Sequence, residues 1–174
     1  MSIASKTATG VERFFSPDEF IVSKTNGKGI ITYANDVFIK ISGYTVDEIM
    51  GKPHNLIRNP AMPRCVFKLL WDRIRAGNEI FAYVNNMAKN GDHYWVLAHV
   101  TPSFDDAGNV VGYHSNRRVP NPETVKKVDK LYAALKAIED ANPSPKDGLE
   151  ESTTKLMEWV NQNGGNYDEI VFSL

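Results

Sequence analysis

The side chains best able to do chemistry here are few, and most are hydrogen-bonding groups rather than reactive ones. His54, Asn55 and Arg58 fall within five residues of one another, in a stretch punctuated by Pro53, Pro60 and Pro63. Asn86 and His114 lie in segments that alternate polar and apolar residues, so each is placed on one face of a strand. On Asn86's face the alternation puts Val84 and Ala82. Across an Asn-Gly turn it puts Tyr94, Val96, Ala98 and Val100, and on the next strand His114 with Gly112 and Asn116. The result is an apolar wall with two hydrogen-bonding side chains, suited to a flat heteroaromatic ring held by dispersion and fixed at its edge. Arg58 either neutralises a diphosphate or lies at the surface. Trp71 serves either as a stacking platform or as core. No nucleophile–base constellation, metal-ligand cluster or phosphate-binding Gly loop stands out, so a non-enzymatic role is expected.

Composition narrows the class further. The chain of 174 residues carries 20 basic and 21 acidic side chains, a balance that gives no reason to expect nucleic acid or an anionic membrane as partner. No apolar run approaches the roughly 20 residues needed to span a bilayer, and the opening MSIASKTATGVERFF lacks the apolar centre of a secretory signal. A cytoplasmic location is expected. Cys65 is the single cysteine, which excludes an intrachain disulfide. It reads as an inert packing thiol.

The elements that would position these groups are legible. Phe20-Ile21-Val22 and Gly29 to Tyr33 read as two strands around the turn Thr25–Gly29. Asn35 or Asp36 caps a short helix, and Thr45-Val46-Asp47-Glu48 has the capping-box pattern of another. Phe67, Leu70, Trp71 and Ile74 recur at i, i+3, i+4 and i+7, giving a helix from Arg64 to Gly77 with one apolar face. Three antiparallel strands follow, over 80–88, 93–104 and 110–119, with Trp95 and His99 pointing away from the wall and His93 beside a turn. Beyond Pro120 and Pro122, Val125, Val128, Tyr132 and Leu135 mark a helix too short to stand alone as a coiled coil, which favours docking on the sheet. After the breaker at 141–145 comes a second helix with Leu156, Trp159 and Val160 on one side. The expected fold is α+β: a five-stranded antiparallel sheet with short helices on one face and flanking N- and C-terminal helical segments. The expected division is an N-terminal cap (1–17) containing Phe14 and Phe15, a core (18–120) and a C-terminal helical extension (121–174).

Four motifs occur in order: Tyr33-Ala34-Asn35-Asp36, Ser42-Gly43-Tyr44 followed by Asp47-Glu48, Gly51-Lys52-Pro53-His54-Asn55-Leu56-Ile57-Arg58, and Lys89-Asn90-Gly91-Asp92-His93-Tyr94-Trp95-Val96. With the element order, they resemble the PAS family, and within it the FAD-binding PAS domain of aerotaxis (energy taxis) receptors, over about residues 18–140. The chain differs from that pattern at Asn59-Pro60-Ala61-Met62-Pro63, where such receptors usually read His-Pro-Asp-Met-Pro, and at Ile80, where a Trp is common. The resemblance implies a sensor that binds FAD and reports redox state or oxygen supply to a signalling partner, such as a chemotaxis or histidine-kinase component. It implies Asn35, His54, Asn55, Arg58, Trp71, Asn86, Val96, Ala98 and His114 as cofactor-binding residues. By similarity to light-sensing LOV domains, Asn86 stands where those have a flavin-contacting Asn, His114 where they have a Gln, and His54 where they have the adduct-forming Cys. Such a stand-alone sensor would act on another chain, and a homodimer is one arrangement in which it could do so. The alternatives are a haem-binding gas sensor with His54 as axial ligand, and a cofactor-free interaction module.

Overall fold

The computed structural model describes residues 7–174. Five strands form one antiparallel sheet in the order β2-β1-β5-β4-β3: β1 (Ile21–Asn26), β2 (Ile31–Ala34), β3 (Ile80–Met87), β4 (His93–Phe104) and β5 (Val110–Arg118). Between β2 and β3 lie α1 (Asp36–Ser42), α2 (Val46–Ile49), a single 3₁₀ turn (His54–Ile57) and α3 (Arg64–Arg75). These short elements cover one face of the sheet. Their ends are written into the sequence. Asn35 caps α1 through Phe38 N, Gly43 ends it at φ 72°, and Thr45 and Glu48 close a reciprocal capping box on α2. The prolines keep the intervening chain from extending either helix.

The opposite face of the sheet is covered by α4 (Pro122–Ala141) and α6 (Tyr167–Ser173), with α5 (Pro145–Gln162) packed against α4 and α3. Tyr132 of α4 stacks on Trp95 at 6.1 Å and donates its hydroxyl to the Tyr83 carbonyl at 2.8 Å. Phe172 of α6 meets Phe81 edge-on, and Phe81 stacks on His99 at 4.1 Å. The helix after Pro122 therefore docks on the sheet, and Trp95 and His99 face outward as expected. α5 approaches α4 closely enough that a Cβ on Gly148 would stand 3.0 Å from the Glu139 carbonyl oxygen.

The N-terminal flank differs from expectation. Residues 7–20 hold no helix; the segment 9–13 is an extended strap along the β3–β4 hairpin, with Arg13 N bonded to His93 O and His93 N to Val11 O. The stretch has no helical periodicity, and Asp92 in the hairpin offers a better reason for its path: it accepts from Thr9 Oγ1 at 2.6 Å, Arg13 Nε at 2.8 Å and Asn90 Nδ2 at 2.8 Å. The first six residues of the expected cap lie outside the described residues.

Candidate functional site

The sheet's inner face and the α1–α3 segment do not close on each other. Between them lies a cleft, partly open to solvent, whose empty space of about 820 Å³ includes that open mouth; strand residues line one side and the 3₁₀ turn and α3 the other. Phe67, Leu70, Trp71 and Ile74 of α3 face Val84, Ala98, Val100 and Tyr113 of the sheet. Trp71 meets Tyr113 edge-on at 5.5 Å. Gly29 (φ 78°) lets the β1–β2 turn approach the indole so closely that an added Cβ would sit 3.0 Å from it.

Polar groups enter this apolar slot at few points. Asn86 is buried on β3, and its main chain bridges to that of Arg58, tying the 3₁₀ segment to the sheet. The half-buried Arg58 lays its guanidinium over the Phe67 ring at 4.1 Å. His54 Nε2 lies 3.0 Å from Ser23 Oγ and 2.9 Å from Arg117 Nη2. Burial, with the nearby Arg117 charge, pushes the His54 imidazole down to about 3, so it is neutral at physiological pH. Arg117, 2 % exposed, also donates through Nε to Ser115 Oγ at 2.9 Å and through Nη2 to Ser23 Oγ, and its guanidinium stands over the Phe38 ring. Its Nη1 has no partner among the described residues. Burial lowers its pKa to about 10, which leaves it charged at neutral pH.

Of the nine residues expected at the site, His54, Asn55, Arg58, Trp71, Asn86 and Ala98 line the cleft together. Val96 is fully buried beneath it rather than on its surface. Asn35 is a structural cap: its Oδ1 accepts from Val22 N and Phe38 N, and its Nδ2 donates to Phe20 O. His114 is a correction. The residues of β5 that face the cleft are Tyr113, Ser115 and Arg117, so His114 lies on the outer face, paired with Thr101 and Lys24. The cause is a β-bulge. β4 and β5 pair as Phe104 with Val110 but Ser103 with Gly112, leaving Val111 as an extra residue. A bulge-free hairpin would have set His114 opposite Val100 on the cleft wall, and one added residue turns every later side chain of β5 over. Ser115 and Arg117 reach the cleft for the same reason, and Ser23 reaches it from β1, opposite Ser115.

Glu139 is a second buried charge, on α4 behind the cleft. Its carboxylate accepts from Arg64 N (2.9 Å), Arg64 Nε (3.1 Å), Cys65 N (3.0 Å) and Ser152 Oγ (2.9 Å), thereby capping α3 from outside. Arg73 of α3 pairs with Asp168 of α6 at 2.6 Å. The helix that forms one wall of the cleft is thus gripped by the C-terminal helices. Cys65, beside Glu139, is fully buried, and burial raises its thiol to about 11.

The PAS domain family matches residues 17–115, more than half of the chain. The chain belongs to the PAS domain family. It is 41 % identical over 120 residues to the aerotaxis receptor of Escherichia coli K12, an alignment covering 69 % of this chain and 24 % of the receptor. It is 28 % identical over 130 residues to phototropin-1B of Oryza sativa subsp. japonica, covering 67 % and 14 % respectively. The chain thus spans about a quarter or less of the length of these curated relatives. A solved light-oxygen-voltage domain, studied with a flavin analogue, superposes with a TM-score of 0.56 at 21 % identity over 64 % of this chain and 83 % of that one, which shows the shared fold. No helix among the described residues is long and apolar enough to cross a membrane.

Proposed function

We propose that this PAS domain binds a flavin nucleotide, FAD, in the cleft and passes the cofactor's redox state, and through it oxygen supply, to a signalling protein. The observation that carries this reading is the cleft itself. It is a slot between two apolar walls, with Trp71 and Leu70 on one side and Val84, Ala98 and Val100 on the other. Its polar side chains among the described residues include Asn86, His54, Asn55, Arg58 and Arg117. A planar ring can be sandwiched there, with the Asn86 amide offering both a donor and an acceptor to its edge. Arg58 lies beside Asn86 through the main-chain bridge and suits a diphosphate. The aerotaxis receptor and the light-oxygen-voltage domain support the choice of a flavin among planar ligands.

When bound, a flavin supplies reversible electron uptake at a ring whose hydrogen-bonding edge changes with its charge. The chain's part is to read that change. Asn86 can turn its amide to match, and the Trp71 face of α3 packs on whatever fills the slot. Glu139 and Arg73 connect α3 to α4, α5 and α6, so residues 121–174 form the output surface of a sensor built from residues 18–120. A small differential interaction between ligand states is enough to bias a contact with a chemotaxis or histidine-kinase component, or with a second copy of this chain. His54 Nε2 already faces Ser23 and Arg117, an arrangement that disfavours it as a haem ligand.

The test is mass spectrometry of the small molecule released by denaturing the purified protein, with its visible spectrum. FAD is expected. A colourless protein that releases no nucleotide overturns the reading. Asn86→Ala and Trp71→Ala are expected to reduce flavin occupancy while circular dichroism remains that of the folded protein. Full occupancy in both variants removes these residues from the site.

A further inference from the structure

Among the described residues that line the cleft there are two cations, Arg58 and Arg117, and neither Asp nor Glu. His54 adds no charge, being neutral. The two arginines are not equivalent. Arg58 ends the 3₁₀ turn, is half-buried and rests its guanidinium on Phe67. Arg117 lies deep in the wall, 2 % exposed, and every partner it has is uncharged: Ser23, Ser115 and His54. Among the described residues no anion lies within hydrogen-bonding range to offset the cost of taking its charge out of water, and Nη1 has no partner. Arg117 nevertheless lines the cleft, so a buried guanidinium held by three neutral groups stands in its wall, and a hydrogen-bond acceptor there would meet a charged donor.

We infer that Arg117, fixed by Ser23, Ser115 and His54, is the subsite that receives the electron-rich carbonyl edge of the cleft's planar ring, whereas Arg58 receives the ligand's phosphates. The division follows from solvation. A diphosphate, with one charge on each phosphate, loses least when held near the mouth, by a cation that still reaches water. A ring edge carries acceptors but no full charge in its oxidised form, so it can follow Arg117 into the deep end. The inference rests on the flavin reading and assigns roles within it. It also has a consequence independent of any ligand: Arg117 is retained at the expense of the empty fold, and its neutral isostere should fold at least as well.

The probes are riboflavin, which has the ring and no phosphate, and FAD, which has both. Each is titrated by fluorescence into ligand-depleted full-length protein. Wild type is expected to bind both. Arg117→Met is expected to weaken both by about tenfold or more, the loss of a charged hydrogen-bond donor from a desolvated site. Arg58→Met is expected to weaken FAD and leave riboflavin unchanged. Arg117→Lys, which keeps the charge without the fork, should fall between wild type and Arg117→Met. The melting temperature of ligand-depleted Arg117→Met should equal or exceed that of wild type. Wild-type protein that binds FAD while Arg117→Met retains both affinities, or loses FAD alone, overturns the assignment and leaves the flavin reading standing. A ligand-depleted Arg117→Met that melts several degrees lower also overturns it, because Arg117 would then be holding the fold. Wild-type protein that binds neither probe overturns the flavin reading and this assignment together.

Discussion

Two charges are buried on either side of α3, and they are treated in opposite ways. Glu139, 4 % exposed, accepts four hydrogen bonds, from two backbone N–H groups, a hydroxyl and a guanidinium. Arg117, 2 % exposed, is held by neutral groups and keeps Nη1 unpartnered. The chain completes the first cluster with its own atoms and leaves the second incomplete. A completed cluster fixes the position of an element, here the N-terminus of α3 against α4 and α5. An incomplete one in the wall of a cleft is a place where something else is meant to bind. The largest expected effect follows directly. Glu139→Ala strips four donors of their acceptor, three of them neutral and buried, and at about 1–3 kcal/mol for each buried donor left unsatisfied it should cost about 3–5 kcal/mol of stability, read by urea denaturation. Arg117→Met should cost none. Equal losses in the two variants would erase the distinction between the clusters.

The second test separates them by pH. For His54, burial and the Arg117 charge hold the folded-state pKa at about 3, below the ordinary 6.5. The unfolded chain binds the proton first, so the His54 contribution is complete above about 6.5 and is lost as pH falls toward 3. For Glu139, burial works to raise the pKa, but the Arg64 and Cys65 N–H groups, the Ser152 hydroxyl and the Arg64 guanidinium outweigh it and hold the carboxyl below its usual 4.5. Its contribution is therefore present above 4.5 and lost below. In stability measured against pH, His54→Asn should flatten the slope between about 6.5 and 4.5, where Glu139→Gln leaves it unchanged. A Glu139→Gln curve altered above pH 5.5, or a His54→Asn curve that still falls through 6, would contradict the assigned states.

How far the sequence announced each cluster is itself instructive. Local signals placed the elements well: Asn35, the Thr45–Glu48 capping box, the α3 stripe and the Asn90-Gly91 turn all act over a few residues, and the structure uses them as read. Asn86, Trp71, His54 and Arg58 reached the cleft because their positions depend on β3, the 3₁₀ turn and α3 alone. The β5 face depends on one bulge at Val111, whose only local signal is the isolated Gly112 beside it, and without that signal His114 falls on the cleft wall and Arg117 on the outer face. Glu139 was invisible for another reason. Its partners Arg64, Cys65 and Ser152 are up to 75 residues away in sequence and converge only once α5 folds back along α4. Helix α6 was also missed, being seven residues long with its apolar face defined by contact with β3 and not by periodicity.

The smallest effect concerns which of Glu139's bonds matter. The Arg64 side chain is 35 % exposed, while Glu139's is 1 % exposed. An ion pair with one partner in water is worth about 1 kcal/mol or less, whereas the Arg64 and Cys65 N–H donors belong to the backbone and survive any substitution. Arg64→Met should thus cost no more than about 1 kcal/mol and leave α3 capped. The Cys65 thiol reports on the cap directly. Being buried and raised to about 11, it is neither accessible nor ionised at neutral pH, and should react with a disulfide reagent only when α3 lifts from α5. Reaction should be slow in wild type, nearly as slow in Arg64→Met and much faster in Glu139→Ala. If Arg64→Met exposed the thiol as fully as Glu139→Ala, the grip on α3 would lie in the ion pair and not in the backbone donors, and the carboxylate would be a surface-tuned latch instead of a buried cap.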